Sequence, residues 1–428
     1  MKVALCTPLH VHSAIGRVSV NVANELTRRG HTVSLINIER TPAYPMHESM
    51  QEQISWKDRR SLVALQNAGV IVVQIGDNYD YHAGAISILH NFRCVGVFHD
   101  ANIHNLFRMW AFDGRSDSEG MTLYDSTMRK LYCNDSELQL HGPDQHPRLD
   151  MLRWLATQCS SAVVHASFYK KQIQDSCPGP VINTPLTYDA RQPAQAPKKA
   201  STSRLSVLTL GHINPNKCCD LVIEAIGGSK IRKDVEYRII GPVTDDERER
   251  LAAHAAQHQV EIVISGRVTD AEMANELQLA DVVLCLRKPI LEGGSASAIE
   301  SMLAARPIMV ANAGFYAEID DGAAVKLSAD LSVGEVQAAL EKLAGEAELR
   351  NAIAERGKEW AIRSCSVENY VDKLEKAVAS AVAVEPQLEL SSTYVNQLRQ
   401  LGLNEDHAPF FEVADCLQSL FPADTGAD

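Results

Sequence analysis

The sequence predicts an α/β protein made of two Rossmann-like domains that face each other across a cleft, followed by a helical tail. With 428 residues, the chain is longer than one hydrophobic core usually serves, so two domains are expected. Short apolar runs alternate with helical patterns twice along the chain, which is typical of βαβ units around a parallel sheet. Residues 190–203 between the two series are polar, contain proline and show no periodicity, as a linker does.

The first series defines an N-terminal domain over residues 1–189. Its first helix, Gly16–Arg29, has apolar residues on one face and ends at Gly30. Strands are predicted at Lys2–Cys6, His31–Asn37, Val70–Val73, Cys94–Phe98 and Ala162–His165, and further helical patterns lie near residues 60–67, 83–92, 146–158 and 167–175. Residues 101–150 are predicted to form a long irregular insert beside the cleft. Its larger side chains fit either an acceptor-side wall or core packing; they are Trp110, Tyr124, Met128, Tyr132 and His141.

The second series defines a C-terminal domain over residues 204–365. Strands are predicted at Ser206–Leu210, Glu236–Ile240, Glu261–Ile264, Val282–Leu286 and Pro307–Val310, and helices at Cys219–Ala225, Asp245–Gln257, Asp270–Leu279, Ser297–Ala304, 333–344 and 347–361. Residues 366–383 form another helix, expected to return to the N-terminal domain. Residues 384–428 form a separate tail with helical patterns near 391–401 and 408–420, either a surface for self-association or a partner, or a lid on its own domain.

Composition and charge exclude several classes of protein. A net charge of −13 without a basic cluster argues against nucleic-acid binding. No run approaches the roughly 18 to 20 apolar residues of a membrane span. The N-terminus enters directly as a strand, with too short an apolar run for a signal peptide. The ten cysteines lack paired CxxC spacing and are expected to be reduced in a cytoplasmic protein. Peripheral attachment to a membrane stays open.

The strongest functional signal is the segment from Glu292 to Glu300, in which two carboxylates bracket a turn of small residues. The turn, with Gly293, Gly294 and Ser295, joins a predicted strand to a predicted helix. A glycine-rich turn of this kind presents backbone N–H groups and the positive end of a helix, which suit a phosphate. A carboxylate suits sugar hydroxyls. The segment therefore predicts a nucleotide-sugar site.

Residues 281–318 resemble the donor-site segment of retaining glycosyltransferases of the GT-B fold, specifically family 4 (group 1). The resemblance rests on the E-x7-E pattern of Glu292 and Glu300, on Arg306–Val310 and on Gly314–Glu318, and extends more weakly over residues 1–380. It implies that Glu292 binds the donor sugar, Glu300 the ribose, and the amides near Gly294 and Ser295 the diphosphate. For Glu300 alone, Ser297-Ala-Ile-Glu300 also fits a helix capping box.

The loop from Gly211 to Lys217 follows a predicted strand and forms a second candidate cluster. In the family, this loop opens the second domain and carries an Arg and a Lys that neutralise the donor diphosphate. Lys217 matches the Lys, whereas His212 stands at the Arg position. An imidazole is mostly neutral near pH 7, so either His212 supplies a weaker hydrogen bond or Arg287 or Arg267 substitutes. Gly211 and Asn216 are expected to line the donor with them. A solvated turn lysine remains the alternative for Lys217.

Two segments of the N-terminal domain complete the predicted site. His99, followed by Asp100, ends a strand at the edge where parallel sheets bind ligands. The resemblance places His99 beside the transferred sugar, whereas a structural hydrogen bond or a metal site are the alternatives. The loop after the first strand holds Ser13 and Gly16, which either approach the donor or, for Ser13, cap the helix. Arg17, His10 and His12 from the same loop are weaker candidates.

The predicted activity is a retaining, hexosyltransferase-type transfer from a nucleotide diphosphate sugar to a saccharide, lipid-linked or small-molecule acceptor, as in polysaccharide biosynthesis. The catalytic residues would be His99, Lys217 and Glu292. No cofactor is expected, because the nucleotide sugar is a co-substrate, and no Asp-x-Asp ends a strand, so the reaction is expected to be metal-independent. The alternatives are a non-catalytic nucleotide-sugar-binding or scaffold homologue, and a GT-B epimerase. A phosphorylase lacks its lysine–pyridoxal signature, and a dehydrogenase lacks G-x-G-x-x-G.

Overall fold

The computed structural model describes residues 1–42, 44–132, 149–189 and 204–403. They form two parallel α/β units that face each other across a cleft, which confirms the predicted fold class. The linker 190–203, His141 and the helical pattern 408–420 lie outside the described residues.

The N-terminal unit is built on a parallel sheet in the order β3-β2-β1-β4-β5-β6-β7. Its strands are β1 Lys2–Thr7, β2 Thr32–Asn37, β3 Glu52–Ser55, β4 Val70–Ile75, β5 Cys94–Phe98, β6 Cys159–Val164 and β7 Val181–Asn183. β4, β5 and β6 are buried along their whole length, as expected for strands covered on both faces. The order reverses between β1 and β4, so the crevice above these strands is where such a sheet binds ligands.

Helices cover both faces of this sheet. They are α1 Ala14–Arg28, α2 Arg59–Gln66, α3 Tyr79–Asn91, α4 His104–Phe112, α5 Asp117–Tyr132, α6 Leu152–Ala156 and α7 Lys170–Gln174. α4 and α5 show that the prediction of an irregular insert over 101–150 was wrong. Tyr124, Met128 and Tyr132 follow one another at a four-residue spacing and are all buried, so they form the inner face of α5.

The C-terminal unit has a second parallel sheet, in the order β10-β9-β8-β11-β12-β13. Its strands are β8 Leu205–Leu210, β9 Val235–Ile240, β10 Ile262–Gly266, β11 Val282–Leu284, β12 Ile308–Ala311 and β13 Val325–Leu327. Its helices are α8 Cys219–Gly228, α9 Asp245–Gln257, α10 Asp270–Leu279, α11 Ala296–Leu303, α12 Val333–Gly345 and α13 Ala347–Ser364. The predictions for α9 and α10 agree residue for residue. Both helices begin at a threonine, Thr244 or Thr269, whose side chain accepts a backbone N–H.

The last described helix, α14 Val367–Gln400, packs against β5, β6, β7 and α1 of the N-terminal unit. Arg29 ties α1 to it by ion pairs of 2.6 Å to Asp372 and 2.8 Å to Glu375. The predicted boundary at residue 383 was wrong, because α14 continues through Pro386. A proline removes one helical hydrogen bond but does not always end a helix. None of the described helices combines the length and the apolarity needed to cross a bilayer. The eight cysteines that the structure describes are buried and free.

Candidate active site

The backbones of the two units meet where predicted site residues of each lie. Residues 99–101 follow β5, and residues 291–293 lie between β11 and α11. The N–H of Ala101 donates to the carbonyl of Leu291 at 2.7 Å, and the N–H of Gly293 donates to the carbonyl of His99 at 2.7 Å. Asp100 and Glu292 form an antiparallel bridge between them. The structure therefore brings His99 and Glu292 together, from segments almost 200 residues apart.

Beside this bridge, two buried cations adjoin one carboxylate. The carboxylate of Glu292, with a side chain 38% exposed, accepts from Nε of Arg287 at 2.9 Å. Arg287 is buried, as is Lys217, of which only 4% is exposed. Nζ of Lys217 donates to the carbonyl of Leu210 at 2.8 Å. Burial and the nearby Arg287 charge lower the pKa of Lys217 to about 7, against the opposite pull of Glu292.

This arrangement leaves a surplus of positive charge at the carboxyl ends of β8 and β11. Lys217 follows β8 in a short 3-10 turn, Pro215–Lys217, and Arg287 follows β11. A diphosphate is the kind of ligand that such a pair of cations attracts. Lys217 is therefore not a solvated turn lysine, and Arg287, one of the two residues suggested as a substitute for the missing arginine, lies near it.

The glycine turn after Glu292 is in tight contact with the N-terminal unit. A Cβ on Gly293 would collide with Oη of Tyr169 and lie 2.9 Å from the carbonyl oxygen of His99. Gly294 lies against Leu186 and His165. A side chain at position 293 would therefore push the two units apart, so the glycine is required by packing whatever the turn binds.

The helix after the turn begins earlier than predicted, which removes the capping-box interpretation of Glu300. Ser295 is the N-cap of α11, and its side chain accepts the N–H of Ala298 at 3.3 Å. Ser297 lies inside the helix, so Glu300 does not occupy the third helical position that a capping box needs. Glu300 is buried, with 3% exposed, on the same helix that the turn leads into.

His99 is held between two other side chains in the interior of the N-terminal unit. Its Nε2 lies 2.5 Å from the side-chain amide of Gln74, and its Nδ1 lies 3.1 Å from Nε2 of His165. Burial, then the neighbouring His165 and His82, hold the pKa of His99 well below its usual value, so the ring is neutral. Both of its nitrogens are engaged by protein groups, and a sugar hydroxyl would have to displace Gln74 to reach it.

The positions of the protons on His99 and His165 follow from the group that His165 contacts on its other side, the carbonyl of Thr184. Nδ1 of His165 lies 3.2 Å from the carbonyl of Thr184, which can only accept, so Nδ1 carries the proton. Burial lowers the pKa of His165 to about 4, and its Nε2 therefore accepts from Nδ1–H of His99. Nε2 of His99 lies against Oε1 of Gln74, and because two acceptors cannot pair, the Gln74 amide must turn its NH2 toward this ring nitrogen. His165 ends β6 as His99 ends β5, and that shared strand-end position was the signal by which it could have been found.

Two half-buried carboxyls, those of Asp77 and Asp100, lie at the bridge; Asp77 was not predicted as a site residue, and Asp100 was named only together with His99. Oδ2 of Asp100 accepts the N–H of Asp77 at 2.8 Å, and Oδ1 of Asp77 accepts the N–H of Leu106 at 2.9 Å. Burial raises the pKa of Asp77 to about 7 and, with help from the Asp77 charge, that of Asp100 to about 8. Both carboxyls therefore keep their protons to a higher pH than an ordinary aspartate does.

The loop between β1 and α1 makes its contacts mainly with its own helix rather than with the cleft. Ser13 caps α1 by accepting the N–H of Gly16 at 3.0 Å. A Cβ on Gly16 would lie 2.6 Å from the carbonyl oxygen of Pro8, so this glycine allows the loop to fold on itself. Arg17 reaches the C-terminal unit, with Nη1 3.5 Å from Asp270.

The remaining predicted donor residues are dispersed. His212 and Arg267 are exposed, and the Arg267 charge acts on His12 and Tyr81 across the cleft. The N–H of Gly211 is used within the sheet, donating to Ile240 at 2.9 Å. Asn216 lies beside Lys217, and its side-chain oxygen is buried without a hydrogen bond from the described residues.

Comparison with known proteins supports the fold. Residues 191–360 match the family model of group 1 glycosyl transferases. No curated protein matches the chain by sequence. Among solved structures, sucrose-phosphate synthase from Thermosynechococcus elongatus is similar with a TM-score of 0.63 at 11% identity, covering 90% of this chain and 100% of that one.

Two other solved structures show the same likeness. HepE from Anabaena, crystallised with UDP and glucose, has a TM-score of 0.61 at 12% identity and covers 89% of this chain and 100% of its own. A glycosyltransferase from Rickettsia africae has a TM-score of 0.59 at 14% identity, covering 89% and 98%. These similarities show that the chain has the predicted GT-B fold.

Proposed function

We propose, from the group 1 match over residues 191–360, that this chain is a retaining glycosyltransferase of family 4 that moves a hexose from a nucleotide diphosphate sugar to an acceptor. The observation that carries the proposal is the pair of buried cations, Lys217 and Arg287, next to the half-buried carboxylate of Glu292. Together they offer charge for a diphosphate and an oxygen acceptor for sugar hydroxyls within one short stretch of the cleft.

In the reaction we propose, the bond between the anomeric carbon and the β-phosphate oxygen breaks, and its electron pair leaves with the phosphate. Lys217, Arg287 and the start of α11 stabilise the negative charge that develops there. The acceptor hydroxyl attacks the anomeric carbon from the same side, and its proton passes to the β-phosphate. The configuration is thereby retained. The step assigns no protein nucleophile and no metal ion.

The structure favours some of the predicted roles more than others. Glu292 is exposed enough to meet a sugar, and we assign it to the donor hydroxyls. The buried Glu300 on α11 is assigned to the ribose hydroxyls, and Asn216 is assigned to the phosphates of the donor. His99 is assigned a supporting role, because both ring nitrogens are already engaged. Asp77 and Asp100 lie beside the bridge and are assigned no role in the transfer. A saccharide, a lipid-linked saccharide and a small molecule all remain candidate acceptors.

The activity is tested by incubating the full chain with a panel of nucleotide sugars and measuring nucleotide release with and without acceptors. HepE was crystallised with UDP and glucose, so uridine-linked glucose is the first donor to try. We expect release to depend on one donor and to fall by about a hundredfold in Glu292→Gln, which removes the charge but keeps the shape. Glu355→Gln, exposed on α13 and outside the predicted site, is the matched control. Equal turnover in Glu292→Gln and the parent would refute the assignment of Glu292.

A non-catalytic binding homologue is the second candidate, and one observation favours it. The exposed His212 occupies the position of the arginine that the family uses on the diphosphate. An imidazole binds a diphosphate more weakly than a guanidinium does. Such a protein would bind a nucleotide sugar without releasing the nucleotide. Saturable binding without turnover across the whole donor and acceptor panel would therefore support this candidate over the enzyme.

A further inference from the structure

A cluster of metal-ligating side chains lies on α8 and α9 of the C-terminal unit. Nε2 of His254 is 3.2 Å from Oε1 of Glu224. The rings of His254 and His258 are 4.7 Å apart between centroids. One ligand atom from each of the three side chains lies within 4.8 Å of the other two. Among the described residues, this is the one group of three that comes so close together.

The local sequence builds this geometry. His254 and His258 are four residues apart at the end of α9, so they lie one above the other on the same face. Glu224 lies on the facing helix α8. One turn further along α8 is Gly227, where a Cβ would lie 2.8 Å from Cβ of His258 and 3.3 Å from its Nδ1. Because Gly227 has no side chain, His258 can pack closely against α8.

The contact between Glu224 and His254 is not an ordinary ion pair. Nε2 of His254 is shielded from solvent and makes no hydrogen bond with any described residue, although the carboxylate is 3.2 Å away. Two ligands of a tetrahedral ion at bond lengths of about 2.0 to 2.1 Å are roughly 3.3 to 3.4 Å apart. The 3.2 Å spacing is thus close to that of two ligands of one cation, and the absence of a hydrogen bond shows that the two atoms are not aimed at each other as donor and acceptor.

We propose that Glu224, His254 and His258 form a structural site for a divalent transition metal, of which Zn²⁺ is the first to test. Two imidazoles and one carboxylate favour zinc or a similar ion over Mg²⁺ or Ca²⁺, which prefer oxygen ligands alone. Water completes the coordination. The ion would join α8 to α9, and α8 begins just after the turn that holds Lys217.

The site lies apart from the cleft. α9 starts after Thr244, close to the carboxyl end of β9, and its 13 residues carry the chain about 20 Å back across the sheet. His254 and His258 therefore stand near the opposite edge from Lys217 and Glu292. The proposed ion takes no part in sugar transfer, and the inference is independent of the proposed function.

The test uses the untagged full chain, because a histidine tag would itself bind zinc. We expect the metal-free protein to take up about one Zn²⁺ in competition with a chromophoric chelator. Bound Co²⁺ should give the intense visible bands of a four-coordinate site. His258→Gln and Glu224→Gln should each lower the affinity at least about tenfold. Zn²⁺ should raise the melting temperature of the parent but not of these variants.

A matched control separates this site from other histidines. His31 also has a ring nitrogen beside a carboxylate, but its Nε2 is hydrogen-bonded to Glu375 at 3.0 Å and it is not part of a three-residue group. His31→Gln should bind Zn²⁺ as the parent does. Equal affinity in the parent and His258→Gln, or a weak Co²⁺ spectrum typical of six water ligands, would overturn the proposal. Donor turnover in excess chelator tests the metal-free reaction separately.

Discussion

Replacing Lys217 by methionine tests the electrostatic basis of the proposed donor site. The change removes a buried ammonium group and keeps a side chain of similar length. Burial and the Arg287 charge lower the pKa of Lys217 to about 7, so in the free protein this lysine is charged below pH 7 and increasingly neutral above it. A bound diphosphate favours the charged form. Donor binding should therefore be coupled to uptake of a proton at Lys217 above pH 7.

The size of the effect follows from this coupling. Each pH unit above 7 lowers the charged fraction of Lys217 about tenfold, which corresponds to about 1.4 kcal/mol. The donor dissociation constant of the parent should rise by up to about tenfold per pH unit above 7. A hydrogen bond to a charged group contributes about 1.5 to 3 kcal/mol, so Lys217→Met should weaken binding at pH 6.5 by roughly ten- to a hundredfold. The variant should lose the pH dependence.

Isothermal titration with a nucleotide sugar at pH 6.5, 7.5 and 8.5 measures both quantities. The diphosphate of such a donor is a diester and does not itself titrate in this range. Lys230→Met is the control, because Lys230 is exposed and lies 3.5 Å from Glu341, outside the predicted site. An affinity and a pH slope in Lys217→Met equal to those of the parent would show that Lys217 does not meet the diphosphate.

The lowered pKa of Lys217 also affects the stability of the folded protein. The pKa of Lys217 is about 10.5 when unfolded and about 7 when folded, so the unfolded chain holds more protons between these values. The contribution of this residue to stability therefore increases as the pH rises from 7 to 10.5. Urea unfolding at pH 7 and pH 9 should show a smaller rise in the free energy of unfolding for Lys217→Met than for the parent.

Three further changes probe the rest of the site. Gly293→Ala should destabilise the protein by about 1 to 3 kcal/mol in urea unfolding, because its Cβ meets Tyr169, whereas Gly334→Ala, where nothing lies within 4 Å, should not. His165→Ala should lower the free energy of unfolding by about 1 to 3 kcal/mol, because Nδ1–H of His99 loses its acceptor. Nitrogen NMR should also show a changed tautomer of His99. An unchanged tautomer would contradict the proposed series of hydrogen bonds from Thr184 to Gln74. Glu300→Gln should weaken binding of the free nucleotide by about tenfold, and unaltered nucleotide affinity would remove Glu300 from the ribose site.

The sequence predicted most of the two sheets because their strands are long apolar runs bounded by turns. Cys94–Phe98 matches β5 residue for residue. β3, β7 and β13 were missed, since each has only three or four residues and some of these are polar, unlike the equally short but wholly apolar β11 and β12. α5 was missed although Tyr124, Met128 and Tyr132 have helical spacing, because these large side chains were considered as a possible wall of the cleft.

Site residues close together along the chain were easier to predict than those joined by the fold. The proximity of Arg287 to Glu292 follows from their separation of five residues, whereas Lys217 was assigned to the same site through the family resemblance. The contact between His99 and His165 depends on the pairing of β5 with β6, which the sequence does not reveal. Asp77 was overlooked because its burial arises from packing against α4, a helix that was not predicted.

The backbone bridge between the two units has a consequence for how a ligand enters. The N–H of Gly293 belongs to the turn that would receive a phosphate, yet it is donated to the carbonyl of His99. One N–H cannot serve both acceptors fully, so an anion bound to this amide would weaken one of the contacts between the units, while the bond from Ala101 to Leu291 remains. Donor binding would then be coupled to the interface between the units through this one hydrogen bond.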